Sequence, residues 1–118
     1  KDFRKLVVWE KSHQLTLEIY KATSVFPTSE KYGLTSQMRR SASSIPSNIA
    51  EGGGRGTDAE LARFCRIALG SASELEYQLQ LSKELSFLKV DTFDDLDRKV
   101  NEVQKMLTAL IKRLTTKS

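Results

Sequence analysis

Four stretches of this chain repeat apolar residues at alternating spacings of three and four, the mark of helices that each bury one stripe. The first carries Val8, Ser12, Leu15, Ile19, Ala22 and Phe26, with Trp9, Leu17 and Tyr20 widening the stripe. It predicts a helix from about Leu6 to Val25, stopped by Pro27, because residues before a proline leave the helical region. The second carries Leu34, Met38, Ala42, Ile45 and Ile49 and predicts a helix from about Leu34 to Glu51. The third carries Leu61, Cys65, Ala68, Ala72, Leu75 and Leu79 and predicts a helix that runs to about Leu85. Thr57, with Glu60 three residues on, forms the capping box that opens it. The fourth, Phe93, Leu96, Val100, Val103, Leu107, Leu110 and Leu114, is the most regular and predicts a helix from about Thr92 to Thr115. Asp91, Asp94, Asp95 and Asp97 stand at its start and Lys112, Arg113 and Lys117 near its end, an order that complements the helix dipole.

Two of these helices depart from a simple stripe. The second gathers Ser41, Ala42, Ser43, Ser44, Ser47 and Ala50 around an internal Pro46. Proline removes one backbone bond and presses on the carbonyl four residues back, here Ala42, so a kink is expected at Pro46. The serines can bond back to earlier carbonyls within such a helix, and Gly52 reads as the left-handed residue that closes it. On the third helix, Phe64, Ile67 and Leu69 flank the main stripe, giving an apolar arc of roughly 200° where one small bundle needs little more than about 100°. The excess predicts a second face buried against another subunit. Four helices of similar length with short connections make an antiparallel up-down four-helix bundle, an all-α single domain over residues 1–118.

Composition agrees with this class. The chain has 118 residues, 8% of them aromatic and 29% charged, with six glycines and two prolines, which suits helices better than a sandwich or barrel. One cysteine, Cys65, excludes an internal disulfide framework. No window approaches the roughly 20 apolar residues of a membrane span, and the first residues hold no apolar run of signal-peptide length. These features lead to the expectation of a cytoplasmic, soluble protein with no membrane partner. The net charge of +4 permits a nucleic-acid or other anionic partner, but phosphate binding depends on clustering more than on the sum.

Catalytic and metal chemistry find little footing. Glu10 and His13 have the Glu-x-x-His spacing of di-iron bundles, but those sites need two such motifs, and His13 is the single histidine. Cys65 lies on a core stripe and reads as a structural thiol. The run Gly52-Gly-Gly-Arg-Gly56 lacks the Lys-Ser/Thr of a phosphate-binding loop and follows a helix rather than a strand, so it reads as a helix-helix corner. The acidic residues at 91–97 lack the turn glycine and terminal glutamate of a calcium loop. Neither cofactor nor metal is expected, and no acid-base or nucleophilic constellation supports an enzyme. What stands out is positive charge. Arg39, Arg40, Arg55, Arg63 and Arg66 all fall on the second and third helices or the corner between them, and Lys1, Arg4, Lys5 and Lys11 add charge along the first. Such a surface can track a phosphate backbone. The alternative is pairing with Glu51, Glu60, Glu74 and Glu76. No base-stacking aromatic motif accompanies the arginines in the sequence.

The residues Phe26-Pro27, Glu30-Lys-Tyr-Gly-Leu34, Gln37-Met-Arg-Arg40, Ser44-Ile-Pro-Ser-Asn-Ile-Ala-Glu-Gly52, Arg63-Phe64, Arg66-Ile-Ala-Leu-Gly-Ser71 and Glu74-Leu-Glu76 resemble the four-helix-bundle family encoded in intervening sequences of bacterial 23S ribosomal RNA genes. Trp9 with its following helix matches as well, so the resemblance spans nearly the whole chain. Gly53-Gly54 stands where many relatives carry an aromatic or other side chain. The resemblance implies a left-handed antiparallel bundle assembled as a homopentamer. It also implies kinship in fold with the accessory variability determinant of diversity-generating retroelements, a basic pentamer that works with a reverse transcriptase and RNA. The expectation is thus a non-enzymatic bundle that self-associates and binds RNA or another nucleic acid through Arg39, Arg40, Arg55, Arg63 and Arg66. The competing expectation is an assembly adaptor whose partner is a protein and whose charge aids solubility.

Overall fold

The computed structural model describes residues 2–116; Lys1 and Lys117 lie outside them. Among the described residues are four α-helices, two short 3-10 turns and no strand. The helices are α1 (Val7–Thr23), α2 (Leu34–Gly54), α3 (Asp58–Glu84) and α4 (Val90–Thr115), and the 3-10 turns are Phe3–Lys5 and Thr28–Glu30. Every apolar stripe expected from the spacing is buried on α2, α3 and α4, and on α1 only Ala22 is half-buried. The residues expected to widen the α1 stripe behave differently. Trp9 is half-buried, whereas Leu17 and Tyr20 face solvent.

Local chemistry sets the helix ends. Leu6 is extended, so α1 begins at Val7, and it stops at Thr23 before the extended Pro27. The Thr57 hydroxyl accepts the Glu60 backbone N–H at 3.2 Å and caps α3. The return arm of the capping box is not formed, because the Glu60 carboxylate binds Arg63 instead. α4 starts at Val90, two residues before the expected start at Thr92, which places Asp91 in its first turn, where the helix dipole favours it.

The largest difference from expectation is the end of α2. Gly52 does not close the helix; α2 continues to Gly54, and the left-handed residue is Gly56, at φ +89°. Gly52 serves packing instead. A Cβ there would lie 2.8 Å from the Phe64 Cβ and 3.1 Å from the Leu61 Cα, so only a bare backbone lets α2 approach α3 so closely.

α1 packs on α2 and α4, and α3 packs on the same two helices. Bridging contacts show the register. Thr16 meets Ala42 and Thr23 meets Arg39 between α1 and α2. Met38 meets Ser82 and Ser44 meets Ser71 between α2 and α3. Lys83 lies over the Phe93 ring and Glu76 meets Gln104 between α3 and α4. Lys11 and Glu18 of α1 pair with Glu102 and Lys99 of α4. Across each interface, rising numbers on one helix meet falling numbers on the next. The result is compatible with a four-helix bundle, elongated to 49 × 22 × 19 Å around one connected core. No helix among the described residues is long and apolar enough to cross a membrane.

Pro46 sits inside α2 and cannot donate to the carbonyl of Ala42, which is fully buried. The Thr16 hydroxyl of α1 reaches that carbonyl at 3.0 Å, while also lying 2.9 Å from the carbonyl of Ser12 in its own helix. One proton is therefore shared between two acceptors, and the gap left by the proline is filled from a neighbouring helix. The serines around Pro46 contribute less to this than their spacing suggests. Ser43 bonds back to Arg40, but Ser44 bonds across to Ser71 at 2.9 Å and takes a bond from the Asn48 side chain. The wide apolar arc of α3 is largely occupied within the chain: Phe64 is buried and Leu69 half-buried, leaving Ile67 at 44% exposure.

Two predictions concern these contacts. Gly52→Ala overpacks the α2–α3 contact and lowers stability by about 1–3 kcal/mol, whereas Gly54→Ala, which meets nothing within 4 Å, raises it by about 0.5–1 kcal/mol; thermal unfolding by circular dichroism should move in opposite directions for the two. Thr16→Val leaves the Ala42 carbonyl buried without a donor and costs about 1–3 kcal/mol, while Thr16→Ser keeps the donor and most of the stability; chemical denaturation of both variants checks this.

Candidate nucleic-acid interface

The five arginines fall into different settings. Arg55, on the corner after α2, donates to Glu51 at 2.7 Å, one turn earlier. Arg63, on the first turns of α3, makes a two-pronged contact with Glu60, at 2.9 Å from Nε and 3.2 Å from Nη2. That hydrogen bond is the main reason the Glu60 carboxyl is held below its usual value and the Arg63 guanidinium above its own. Both guanidinium groups also lie on the Phe64 ring, at 5.0 and 4.5 Å from its centroid. The corner therefore joins two arginines with two glutamates over one buried ring. These pairs are exposed, and such pairs contribute little to stability.

Arg39 has tertiary partners. Its Nε donates to the Thr23 hydroxyl at 2.9 Å and its Nη2 to the Tyr20 carbonyl at 3.2 Å, and its guanidinium carbon stands 4.7 Å from the centre of the Tyr20 ring. It holds the end of α1 to α2. Arg40 and Arg66 differ from the other three. Both are exposed, and neither forms an ion pair with a described carboxylate. Arg39 and Arg40 lie about 22 Å along α2 from Arg55, at 1.5 Å per residue, so the structure forms two basic groups rather than one continuous patch. On the first helix and its approach, Arg4 pairs with Asp2 and Lys11 with Glu102, and Lys5 borders an apolar cleft beside Arg113.

The sequence carries no base-stacking aromatic motif beside these arginines, but the fold brings two tyrosines to Arg39 and Arg40. A cleft of about 470 Å³ is lined by Tyr20, Lys31, Tyr32, Ser36, Arg39 and Arg40 among others, with no carboxylate on its wall. Tyr32 is 87% exposed and Tyr20 45% exposed. Tyr20 was hidden by its place beside the α1 stripe. Tyr32 stands in an irregular connection where spacing carries no information. No periodic signal links Lys31-Tyr32, which precede α2, to Arg39-Arg40 within it.

Other candidate groups have structural surroundings. The His13 ring stacks flat on Trp9, with centroids 5.0 Å apart and planes 8° from parallel. Cys65 is fully buried, and burial pushes its thiol up to about 11, so it keeps its proton at neutral pH. Asp95 of the acidic run is held below its usual value, chiefly by a hydrogen bond from Lys99, and Arg98 adds a second.

Comparison with known proteins fits this geometry. A crystal structure from Bacteroides thetaiotaomicron VPI-5482, described as a protein of unknown function from the S23 ribosomal protein family, superimposes with a TM-score of 0.82. The two share 26% identity, over 90% of this chain and 96% of that one. No curated protein sequence matches the chain. Residues 4–109 match the family described as 23S rRNA-intervening sequence protein, a span that holds α1, α2 and α3, α4 up to residue 109, and all five arginines. The chain is thus a member of the 23S rRNA-intervening sequence protein family.

Proposed function

We propose that this protein is a cytoplasmic, non-enzymatic, single-domain bundle of up-down antiparallel helices, kinked at Pro46, which assembles as a homopentamer and binds RNA or another nucleic acid without sequence preference. The observation that carries the binding is the pair Arg40 and Arg66, two exposed cations with no carboxylate partner among the described residues. Arg39, Arg55 and Arg63 complete the surface. The glutamates on Arg55 and Arg63 exchange readily for phosphate, because exposed ion pairs are worth little, whereas Arg39 keeps its bonds to Thr23 and the Tyr20 carbonyl and adds positive potential. A family defined by sequences that interrupt ribosomal RNA genes gives RNA priority among polyanions.

Self-association rests on the outer face of α3. Ile67, Gly70, Glu74 and Tyr77 follow one another at spacings of three and four, and all four are exposed, Tyr77 at 64%. Ile67 and Tyr77, with Gly70 between them allowing close approach, supply the apolar contacts of the proposed interface. The homopentamer itself comes from the family resemblance. The second reading, a protein assembly adaptor, draws on the Arg55–Glu51 and Arg63–Glu60 pairs, which leave the corner electrically balanced.

Binding of a fluorescent RNA at increasing salt separates the readings. Phosphate contact predicts an affinity that falls steeply between about 50 and 200 mM salt. Arg40→Glu combined with Arg66→Glu should weaken binding and flatten the log-log salt slope by about 1.4, two contacts at roughly 0.7 each on a single strand. Unchanged binding in that variant removes these two residues from the site, and no binding by the native protein at low salt leaves the adaptor reading. Sedimentation velocity should give a mass five times that of the chain, and Ile67→Glu with Tyr77→Glu should release smaller species; a native monomer at micromolar concentration overturns the ring.

A further inference from the structure

Beyond a general basic surface, the cleft at the junction of α1, α2 and the connection between them has the composition of a nucleotide subsite. Its wall carries three cations, Lys31, Arg39 and Arg40, and no carboxylate, in contrast to the balanced Arg-Glu corner at the other end of α2. It also carries two tyrosines with large exposed areas, neither of which contacts another aromatic ring among the described residues. Lys31 Nζ stands 5.5 Å from the Tyr32 ring centre, and the Arg39 guanidinium lies over Tyr20 at 4.7 Å. An exposed tyrosine flanked by cations joins a flat stacking surface to a phosphate contact in one place.

We infer that this cleft binds single-stranded nucleic acid, with an unpaired base stacked on Tyr32 and the adjoining phosphate held between Lys31 and Arg40. The inference rests on the proposed nucleic-acid binding and narrows it to strands with unpaired bases. Duplex bases are already stacked on one another and present only their edges and backbone, so a duplex cannot use the tyrosine face. Every base has such a face, so the subsite is tolerant of sequence. Arg39 has a different part. Its bonds to Thr23 and the Tyr20 carbonyl fix it beneath the cleft, where it supplies positive potential and holds the wall in place.

The test uses the full chain and four probes: labelled oligo(U) and oligo(dT) of about 12 nucleotides, an RNA duplex of the same length, and poly-glutamate. Tyr32 is 87% exposed, so Tyr32→Ala removes no core packing, and its unfolding curve should overlay the native one. Tyr32→Ala should weaken oligo(U) binding about tenfold, the effect of one lost base stack, and change duplex binding by less than about twofold. Tyr32→Phe, which keeps the ring, should bind like the native protein. A loss confined to oligo(U) assigns the cleft to RNA, and an equal loss with oligo(dT) assigns it to single strands of either kind. The inference is overturned if native protein binds oligo(U) and Tyr32→Ala binds it equally well, or if single strand and duplex lose affinity alike; in both cases the broader RNA-binding reading survives through the salt slope. If poly-glutamate binds as tightly as oligo(U) and Tyr32→Ala weakens neither, binding follows charge alone and the subsite is overturned. If native protein binds no nucleic acid at low salt, both readings fall together.

Discussion

The buried carbonyl of Ala42 is the constraint around which the centre of this molecule is arranged. Pro46 denies it the usual partner four residues on, and a buried carbonyl left without a donor is costly. Thr16 supplies the missing donor from α1, sharing its proton with the Ser12 carbonyl, and so ties α1 to α2 near their middle. With α1 so placed, Arg39 can reach Thr23 and the Tyr20 carbonyl one turn further along. The opposite side of α2 carries small residues, and there Ser44, Ser71 and Gly52 allow α3 to approach closely. α2 is thus the shared element: polar on the side of α1, small on the side of α3, with the proline requiring the first and the glycine permitting the second.

Much of this architecture could be read from periodicity, because apolar spacing reports directly which side of a helix is dry. α4 is the clearest case, since all seven of its stripe residues are buried. Helix ends were less legible. Gly52 and Gly56 are the same residue type four positions apart, and only the neighbouring helix distinguishes a glycine needed for close contact from one needed for a left-handed turn. The breadth of the α3 arc pointed outward in the sequence. In the structure most of it is taken up by the two helices that flank α3 on different sides, and Ile67 is what remains outside.

The candidate site divides along the same line. Contacts between residues three or four apart on one helix were within reach of sequence reasoning, and Arg55 with Glu51 and Arg63 with Glu60 follow it. Contacts that cross between elements were not. Nothing in the order of residues places Thr23 beside Arg39, or brings Tyr20 and Tyr32 from two different segments to one cleft with Arg40. The cations themselves were visible as letters. Their separation into a neutralised corner and an unneutralised cleft depends on where carboxylates end up after folding.

Phe64 carries a consequence of its own. Its ring is buried beneath Arg55 and Arg63, and its Cβ is the atom against which Gly52 is most tightly set. Surface charge and interior fit at this corner are therefore two sides of one lever. One side chain thus serves the charged surface with its ring and the α2–α3 packing with its Cβ. Replacing Phe64 would therefore alter the platform beneath the two arginines and the packing against Gly52 at once.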